Sequence, residues 1–340
     1  MQDITRNPKL ETRNISFDQA MEMTTYSGVK LFNLFNQAGA IREKNFGNKI
    51  DSCYLLNAKS NLCGEDCIYC SQSTRYPTAI DTYKLMPKEK IVAAAESAAN
   101  AGANHFCIVI SGRGITDKEE IETICNAARE IKTRFPTLVS CASLGIIDEE
   151  TACAIKEAGI VRYNHNLNTE EEFHKKVVTT HTYQDRLRTA QIVRKAGLEL
   201  CCGCIWGMGE TVEQRIKLAF DLRDLAPEEV PINFLYPIPG TPLENAPGIQ
   251  PMEALRFLAI YRLILPDCSE IRVAGGREKN LRDLQSWIFQ AGASGLVLGD
   301  YLTTKGQSQE KTKQMLADLN LMLRPMEETQ QWHNQPSALS

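Results

Sequence analysis

The sequence lacks any long hydrophobic run and any marked excess of one charge. Its 340 residues carry 38 Lys and Arg against 42 Asp and Glu, for a net charge of -4. Because no basic stripe stands out, we expect no nucleic-acid binding. The longest strongly apolar stretches, such as 106–110, end after a handful of residues, whereas a transmembrane helix needs about 20. Residues 1–14 are polar and of mixed charge, unlike a secretory signal. These absences predict a cytoplasmic protein with no membrane partner.

Cysteine, by contrast, is plentiful, with 12 residues scattered along the chain. An even number could form a disulfide scaffold, but such scaffolds are typical of small secreted domains. This chain is long enough for two ordinary domains or for one large α/β barrel. We therefore expect reduced thiols, some of which act as ligands.

Short apolar or β-branched runs alternate with helix-like segments from about residue 50 onward. Several of these segments end in Ala-Gly, as at Ala101 and Gly102, where glycine allows the left-handed turn that stops a helix. Eight strand candidates over roughly 250 residues fit a (β/α)8 TIM-type barrel in length and rhythm. A doubly wound open sheet is the alternative. The strand candidates are 53–56, 106–110, 138–144, 161–164, 198–205, 231–236, 271–274 and 296–298.

The same rhythm divides the chain into three segments. Residues 1–48 are predicted to form an N-terminal lead-in of one or two amphipathic helices, since apolar residues such as Leu31 and Leu34 recur among polar ones. Residues 49–310 are predicted to form the barrel domain. Residues 311–340 are predicted to form a C-terminal helix and a flexible tail, because the stretch from residue 324 is polar and contains two prolines.

The most specific pattern is a cluster of three cysteines, Cys63, Cys67 and Cys70, just after the first strand candidate. Barrel enzymes place their chemistry in such loops. A structural zinc site needs four closed ligands, so a zinc knuckle here would have to be completed from elsewhere in the chain. A 4Fe-4S cluster held by three cysteines leaves one iron open to a small molecule, whereas a ferredoxin closes all four irons with thiolates. The pattern therefore favours a catalytic cluster.

This Cys-x3-Cys-x-aromatic-Cys pattern resembles that of the radical S-adenosylmethionine (SAM) enzymes. The resemblance implies that SAM binds the open iron and that Tyr69, just before the last cysteine, lies near the adenine. A segment after the fifth strand candidate is similar to the G-x-I-x-G-x-x-E motif with which this family holds the adenine. Such glycine-rich turns are also common for structural reasons alone. The residues that match the motif are Gly203, Ile205, Gly207 and Glu210.

Four further residues lie inside strand candidates, namely Cys107, Cys141, Cys201 and Arg272. Interior positions of different strands converge in a barrel, so these side chains could meet at one point. A buried cysteine is commonly no more than a small apolar residue. A buried arginine needs an anionic partner, and an iron–sulfur cluster held by thiolates would provide that negative charge.

Together with these residues, segments across nearly the whole chain beyond the lead-in resemble the biotin synthase family. They are 57–73, 106–114, 163–168, 179–186, 231–234, 240–242, 271–277 and 299–304. The resemblance implies that a 5'-deoxyadenosyl radical removes hydrogen from two saturated carbons of dethiobiotin, and that an auxiliary 2Fe-2S cluster donates the sulfur that makes biotin. It implies a flavodoxin or ferredoxin-type electron donor and a homodimer. The implied ligands of the auxiliary cluster are Cys107, Cys141, Cys201 and Arg272.

The resemblance also implies contacts with the substrate and with SAM. Several of the residues concerned are asparagines, which can instead form hydrogen bonds at strand ends for purely structural reasons. Cys202 and Cys204 are extra thiols beside Cys201, but neighbouring strand residues face opposite sides, and the motif alignment selects Cys201. The implied contacts are Asn166 and Asn233 with the ureido region, with Asn164 in the same wall; Thr303 and Thr304 with the substrate carboxylate; Arg186 with the methionine carboxylate; and Asn168, at a position acidic in part of the family, with the ribose.

Two other functions stay open on the sequence alone. Another radical SAM enzyme, performing a rearrangement or maturing a cofactor, would keep the cysteine loop and lack the strand-borne quartet. A non-catalytic zinc- or cluster-binding protein would show no turnover. The histidines lack a ligand spacing such as i, i+4 on one helix, and we interpret them as structural or surface residues. They are His105, His165, His174, His181 and His333.

Overall fold

The computed structural model describes residues 15–265 and 270–333. Two helices lead into the barrel, α1 (Phe17–Met23) and α2 (Gly28–Phe46). The side chain of Ser16 accepts a hydrogen bond from the backbone of Gln19 and so fixes the start of α1. Helix α2 buries an apolar face that includes Leu34 and Phe35, and it packs against α9 (Pro251–Ile264) on the outside of the barrel.

Parallel strands close into a barrel, which confirms the predicted (β/α)8 fold. The closed order is β1-β2-β3-β4-β5-β7-β8-β9, with β9 pairing back onto β1, and every pairing is parallel. The strands are β1 (Lys49–Lys59), β2 (His105–Ile110), β3 (Val139–Ser143), β4 (Arg162–Asn164), β5 (Glu199–Cys201), β6 (Cys204–Trp206), β7 (Glu229–Phe234), β8 (Glu270–Val273), β9 (Gly295–Val297) and β10 (Met322–Leu323).

Helices between the strands cover the outer surface of the barrel. Helix α4 begins where the carboxylate of Asp117 accepts from two backbone N–H groups, and α3 ends at Gly102, whose φ of 79° is left-handed. No helix in the described ranges is both long and apolar enough to cross a membrane. The remaining helices are α3 (Lys88–Ala101), α4 (Lys118–Arg134), α5 (Glu149–Glu157), α6 (Glu171–Val177), α7 (Tyr183–Lys195), α8 (Val212–Leu225), α10 (Arg277–Leu281), α11 (Gln309–Asp318) and α12 (Met326–His333), with a 3-10 helix over Arg282–Ile288.

The fifth strand candidate is split into two short strands. β5 ends at Cys201, and β6 begins at Cys204 and pairs with β7. Between them a Cβ on Gly203 would lie 1.9 Å from the carbonyl oxygen of Pro231, so only glycine fits this close approach of two backbones. The split strand places Cys201 and Ile205 in the barrel interior, whereas Cys202 and Cys204 lie in the main hydrophobic core.

The C-terminal segment differs from the predicted tail over the residues that the structure describes. β10 pairs with β1, and α12 follows it. Arg324 is buried and forms ion pairs with Asp51 at 3.0 Å and Glu270 at 3.3 Å. Polar composition misled the prediction because the arginine side chain neutralises carboxylates inside the barrel. Residues 334–340 of the predicted tail lie outside the described residues.

Candidate active site

A cavity of about 350 Å³ lies inside the barrel, and side chains from all eight barrel strands line it. Its wall includes the cysteine loop that follows β1 and the loops after β2, β3 and β4. These loops stand at the C-terminal ends of the strands, where barrel enzymes place their active sites. The cavity therefore lies where a barrel enzyme is expected to have its active site.

All three cysteines of the loop, Cys63, Cys67 and Cys70, line this cavity. Cys63 is held by backbone hydrogen bonds with Gln72 and Thr74, and the N–H of Cys70 donates to the carbonyl oxygen of Cys67 at 3.0 Å. These backbone hydrogen bonds hold the loop with all three cysteines in the wall of the cavity.

Burial raises the pKa of the loop thiols. The pKa of Cys67 rises to about 12, through burial and then the neighbouring Cys70, and that of Cys70 rises to about 11, mainly through burial. The pKa of Cys63 is also raised, mainly by burial. Since metal ligands are thiolates, binding a metal centre here requires positive charge from the metal and releases protons.

The spacing of the thiols suits a cluster better than a single ion. Within residues 15–265 and 270–333, one set of three Cys, His, Asp or Glu side chains has its ligand atoms within 4.8 Å of one another, and it contains no cysteine. Sulfur ligands of one zinc ion, at about 2.3 Å from the metal, would lie closer together than that. An iron–sulfur cluster separates its thiolates more widely, so the loop fits the predicted 4Fe-4S cluster.

Tyr69 and Asn168 line the cavity next to this loop and touch each other. The amide nitrogen of Asn168 donates to the Tyr69 hydroxyl at 2.8 Å. Asn168 has a left-handed φ of 68°, and its backbone N–H donates to Gly203. This unusual backbone turns the side chain of Asn168 toward Tyr69.

A chain of polar contacts orients Arg186, the predicted partner of the methionine carboxylate. Glu65 contacts Nδ1 of His181, and Nε2 of His181 lies 2.7 Å from Nη2 of Arg186. Burial and the nearby Arg186 lower the pKa of His181, so the neutral imidazole donates to Glu65 and accepts from Arg186. Arg186 also donates to the carbonyl oxygen of Asn166 at 2.8 Å. Sequence reasoning missed the positioning role of Glu65 and His181.

Of the four residues in the predicted adenine motif, only Ile205 lines the cavity. Glu210 instead closes the turn, since its carboxylate accepts from the N–H groups of Gly207 and Met208, both at 2.8 Å, and pairs with Arg215 at 2.6 Å. Gly207 has a φ of 95°. The motif therefore shapes the end of β6, and Ile205 is the side chain that it presents to the cavity.

A second group of thiols lies deeper in the barrel. Cys107 and Cys141 are direct partners in the register of β2 and β3, and both line the cavity with Cys201. Cys202 and Cys204 are fully buried in the main hydrophobic core instead, which is the geometry that strand alternation predicts for Cys202. The structure thus brings together the three cysteines that the sequence analysis selected.

Cys53 of β1 belongs to the same group, and sequence reasoning missed it. It packs in one buried cluster with Cys107 and Cys141, and it lines the cavity. The signal was present in the sequence, because Cys53 lies in the first strand candidate. Without the register of β1 against β2, nothing distinguished it from an ordinary apolar strand residue. Each of the described cysteines is free.

Arg272 lies at the floor of the cavity in a network of buried charges. It pairs with Glu229 and Asp51, each at 2.7 Å, and with Glu270 at 3.1 Å. Burial lowers the pKa of Arg272, but attraction to Glu229 and Asp51 outweighs it and holds the pKa well above its usual range. The expected anionic partner of the buried arginine is therefore present as carboxylates, which the sequence analysis did not foresee.

Arg162 and His105 complete this network. Arg162 contacts Glu199, Glu229 and Glu270, and Nδ1 of His105 lies 2.9 Å from Asp51. Asp51, His105 and Glu270 are the one set of potential ligands for a single ion noted above. The arginines around Asp51 and Glu270 already neutralise them, so the set is better explained as an ion-pair network than as a metal site.

The asparagines of the predicted substrate site line the cavity, whereas the threonines do not. Asn164 donates to the sulfur of Cys201 at 3.0 Å, and Asn166 and Asn233 accept from the backbone of Gly203 and Gly275. Their backbone contacts agree with the alternative that asparagine satisfies strand ends, but all three also present atoms to the cavity. Thr303 and Thr304 line a separate recess of about 330 Å³, and Leu302 lines both spaces.

Two further histidines, His165 and His174, lie near Arg186. His165 lines the cavity and His174 packs beside His181 with ring centroids 5.5 Å apart. Burial and the nearby Arg186 lower the pKa of both, in the case of His174 to about 4. They are therefore neutral side chains that shape the pocket around Arg186.

Asp66 ties the cysteine loop to the segment between α6 and α7. Its carboxylate accepts from the backbone N–H groups of Thr179 at 2.9 Å and Thr180 at 3.2 Å, and from both hydroxyls. Although burial acts in the opposite direction, these hydrogen bonds lower the pKa of Asp66 to about 2. The stabilising contacts of the ionised carboxylate therefore persist down to acid pH.

Replacing Asp66 by Ala is expected to lower the thermal unfolding midpoint by a roughly constant amount from neutral pH down to about pH 4, the usual carboxyl pKa. Because the pKa in the folded state is lowered, the difference from wild type should shrink as the pH falls from there toward 2. Asp224→Ala, at an exposed carboxylate of α8, is the control. A difference that grew on acidification would contradict the assignment.

Comparisons with known proteins agree with this geometry. Residues 58–222 match the family model described as the radical SAM superfamily, and residues 231–322 match the Biotin and Thiamin Synthesis associated domain. The chain is 48% identical over 312 residues to a biotin synthase of Geotalea daltonii, covering 92% of this chain and 94% of the relative. It is also 48% identical to a biotin synthase of Geobacter sulfurreducens, covering 90% and 93%.

Solved structures share the fold at low sequence identity. Methylornithine synthase superimposes with a TM-score of 0.79 at 17% identity, covering 94% of this chain and 96% of that one. The FeFe-hydrogenase maturase HydG from Carboxydothermus hydrogenoformans gives a TM-score of 0.77 at 18% identity, covering 92% and 77%. Identities this low establish the fold and leave the chemistry to the site residues.

Proposed function

Because the chain belongs to the biotin synthase family, we propose that this cavity converts dethiobiotin to biotin by radical insertion of sulfur. The observation that carries the proposal is that the three-cysteine loop and a second group of three thiols open into one cavity. The C–H bonds of saturated carbons are beyond the reach of side-chain bases, so acid–base catalysis alone is excluded as the route. The two groups of thiols in this cavity would hold two clusters, one for the radical chemistry and one for the sulfur.

Cys63, Cys67 and Cys70 are the residues that would hold the 4Fe-4S cluster. When bound with SAM, the cluster supplies the electron that cleaves SAM to methionine and a 5'-deoxyadenosyl radical. The chain's own part is to orient SAM. Arg186, held by His181 and by the carbonyl of Asn166, is proposed to bind the methionine carboxylate. Tyr69, Asn168 and Ile205, which line the cavity, are proposed to contact the nucleoside.

The second cluster is proposed to bind between the deeper thiols Cys107, Cys141 and Cys201. When bound, a 2Fe-2S cluster supplies sulfide to the substrate carbon. Two side chains could complete its ligand set: Arg272, which the resemblance implies, and Cys53, which lines the same cavity. The position of these thiols beneath the cysteine loop supports a substrate held between the two groups.

Dethiobiotin is proposed to lie against the asparagine wall. The amide groups of Asn164, Asn166 and Asn233 offer donors and acceptors that match a ureido group. The separate recess of Thr303 and Thr304 adjoins the cavity through Leu302, and the hydroxyl of Thr303 lies 3.0 Å from that of Ser71. Such hydroxyls suit the substrate carboxylate, if the aliphatic tail extends past Leu302.

Anaerobic turnover tests this function. Reconstituted protein, incubated with SAM, dithionite-reduced flavodoxin and dethiobiotin, should form biotin together with 5'-deoxyadenosine. We expect about two molecules of 5'-deoxyadenosine per biotin, because two C–H bonds are broken. Omission of dethiobiotin is the control for uncoupled SAM cleavage. Protein that cleaves SAM and never forms biotin would instead be a radical SAM enzyme for another substrate.

The electron donor and the homodimer stay predictions from the family resemblance, and the cytoplasmic location stays a prediction from the sequence composition. The three-segment division at residues 48 and 310 also stays a prediction. A ferredoxin can replace flavodoxin in the turnover assay to compare the two classes of donor.

A further inference from the structure

We propose that Glu278 is a positioning residue, which holds the segment 299–307 in the conformation that binds the carboxylate of the substrate. This segment, here called the recess loop, follows β9 and carries Thr303 and Thr304. The inference rests on the proposed function, which places the substrate carboxylate at these two threonines. It adds a residue of α10 to the substrate site, at a position that the sequence analysis did not select.

The carboxylate of Glu278 holds the recess loop at two points. The hydroxyl of Tyr301 donates to Oε2 of Glu278 at 2.9 Å, and the backbone N–H of Gln307 donates to Oε1 at 2.9 Å. Thr303 and Thr304 lie between these contacts in the sequence, and the N–H of Tyr301 donates to the carbonyl oxygen of Thr304 at 2.9 Å. Glu278 therefore fixes both ends of the segment that carries the two threonine hydroxyls.

Other contacts hold the middle of the recess loop. The amide of Asn57 donates to the carbonyl oxygen of Leu302 at 3.1 Å, and the hydroxyl of Thr303 lies 3.0 Å from that of Ser71. Neither contact involves residues 301 or 307, so the loss of the Glu278 carboxylate would loosen the ends of the loop while its middle stays attached. We therefore expect such a loss to misorient the hydroxyls rather than to unfold the loop.

The charge of Glu278 is balanced, which matters for an anionic substrate. Oε1 of Glu278 accepts from Nη2 of Arg277 at 3.1 Å, and Arg277 is 1% exposed. Without this partner, the negative charge of Glu278 would repel a carboxylate bound beside Tyr301, because charges interact strongly at low dielectric. Glu278 itself does not line the recess, whereas Tyr301 does. It can therefore order the loop through Tyr301 and Gln307 without touching the substrate.

Equilibrium binding of dethiobiotin to reconstituted, SAM-loaded protein tests the proposal. Glu278→Ala should raise the dissociation constant about tenfold, since it removes hydrogen bonds to a charged group. The rate of a single turnover at saturating dethiobiotin should change much less, because the thiols of the cavity are untouched. Glu89→Ala, at an exposed carboxylate of helix α3, is the matched control and should bind dethiobiotin as wild type does.

A neutral analogue separates positioning from general destabilisation. Wild-type protein should bind dethiobiotin more tightly than its methyl ester, because hydrogen bonds to an ionised acceptor are the stronger ones. Glu278→Ala should weaken the binding of dethiobiotin and leave that of the ester nearly unchanged. Tyr301→Phe removes one of the two contacts and should weaken dethiobiotin binding less. Because both substitutions remove the same contact, the double variant should be no weaker than Glu278→Ala alone.

Limited proteolysis reports on the recess loop without clusters, SAM or substrate. Lys305 is exposed and lies between Tyr301 and Gln307 in the sequence, so trypsin can cut after it when the loop opens locally. Mass spectrometry should show faster cleavage after Lys305 in Glu278→Ala and in Tyr301→Phe than in wild type or in Glu89→Ala. If Glu278→Ala does not fold, Tyr301→Phe provides both the binding and the proteolysis comparison.

The outcomes separate this inference from the proposed function. If folded Glu278→Ala binds dethiobiotin as tightly as wild type, or loses affinity for the ester to the same extent, Glu278 does not position the recess loop for a carboxylate. Wild-type protein that binds dethiobiotin and never forms biotin rejects the proposed chemistry, whereas the role of Glu278 is decided by the binding data. A loss of affinity confined to dethiobiotin, with faster cleavage after Lys305, is the result that we expect.

Discussion

Reductive cleavage of SAM should fall to the assay background when Cys63, Cys67 or Cys70 is replaced by Ala. Each substitution removes one of three thiolates that line the cavity, and a cluster with two protein ligands cannot be held in the geometry that leaves a single iron for SAM. The barrel should stay folded, because the loop is fixed by backbone hydrogen bonds and by Asp66. Formation of 5'-deoxyadenosine under anaerobic, reducing conditions is the measurement.

The control for this prediction is Cys153→Ala, at an exposed cysteine of helix α5. It removes a thiol without touching the cavity and should cleave SAM at the wild-type rate. Circular dichroism of all four variants checks the fold. Undiminished 5'-deoxyadenosine formation in the three loop variants would refute the open-cluster assignment.

Arg272→Met should destabilise the protein strongly. The side chain is 1% exposed and pairs with three buried carboxylates, Asp51, Glu229 and Glu270. Removing one partner of a buried ion pair leaves an uncompensated charge and costs about 3–5 kcal/mol. The sequence analysis expected an iron–sulfur cluster to supply this negative charge, whereas the structure supplies it as carboxylates. The free energy of unfolding in urea is the measurement.

A second substitution distinguishes lost pairing from lost packing. When Arg272→Met is combined with Glu229→Gln, one of the carboxylates that has lost its partner is replaced by a neutral amide. Part of the lost free energy of unfolding should therefore be recovered. Arg272→Lys, which keeps a charge and some donor capacity, should be less destabilised than Met. If Arg272→Met unfolded at the same urea concentration as wild type, Arg272 would not be an essential partner of the carboxylates.

Local patterns in the sequence were sufficient to predict the barrel and the cysteine loop. The alternation of apolar runs with helical segments predicts a (β/α)8 barrel, because each strand–helix unit spans only about 30 residues. Cys63, Cys67 and Cys70 lie within eight positions of one another and therefore form a pattern without any tertiary information. The choice of Cys201 over Cys202 followed from strand alternation, and the structure places these two thiols on opposite sides of β5 as expected.

Features that depend on distant pairings were not predictable in this way. Asp51 and Arg272 are 221 residues apart in sequence, and Asp51 and Arg324 are 273 apart, so no local pattern could join them. The break of the fifth strand at Gly203 depends on the approach of Pro231 from another strand. Cys53 became part of the site only when the register of β1 against β2 was known.

The placement of Arg324 has a consequence for the order in which the chain can complete its fold during synthesis. Asp51 belongs to the first strand, yet one of its cationic partners, Arg324, lies 273 residues later in the sequence. The buried amide of Asn104 likewise donates to the backbone of Arg324 and to Thr329. Until those residues leave the ribosome, the barrel floor carries a carboxylate and an amide without their final partners. The nascent barrel therefore reaches its full stability only after Arg324 and Thr329 have emerged.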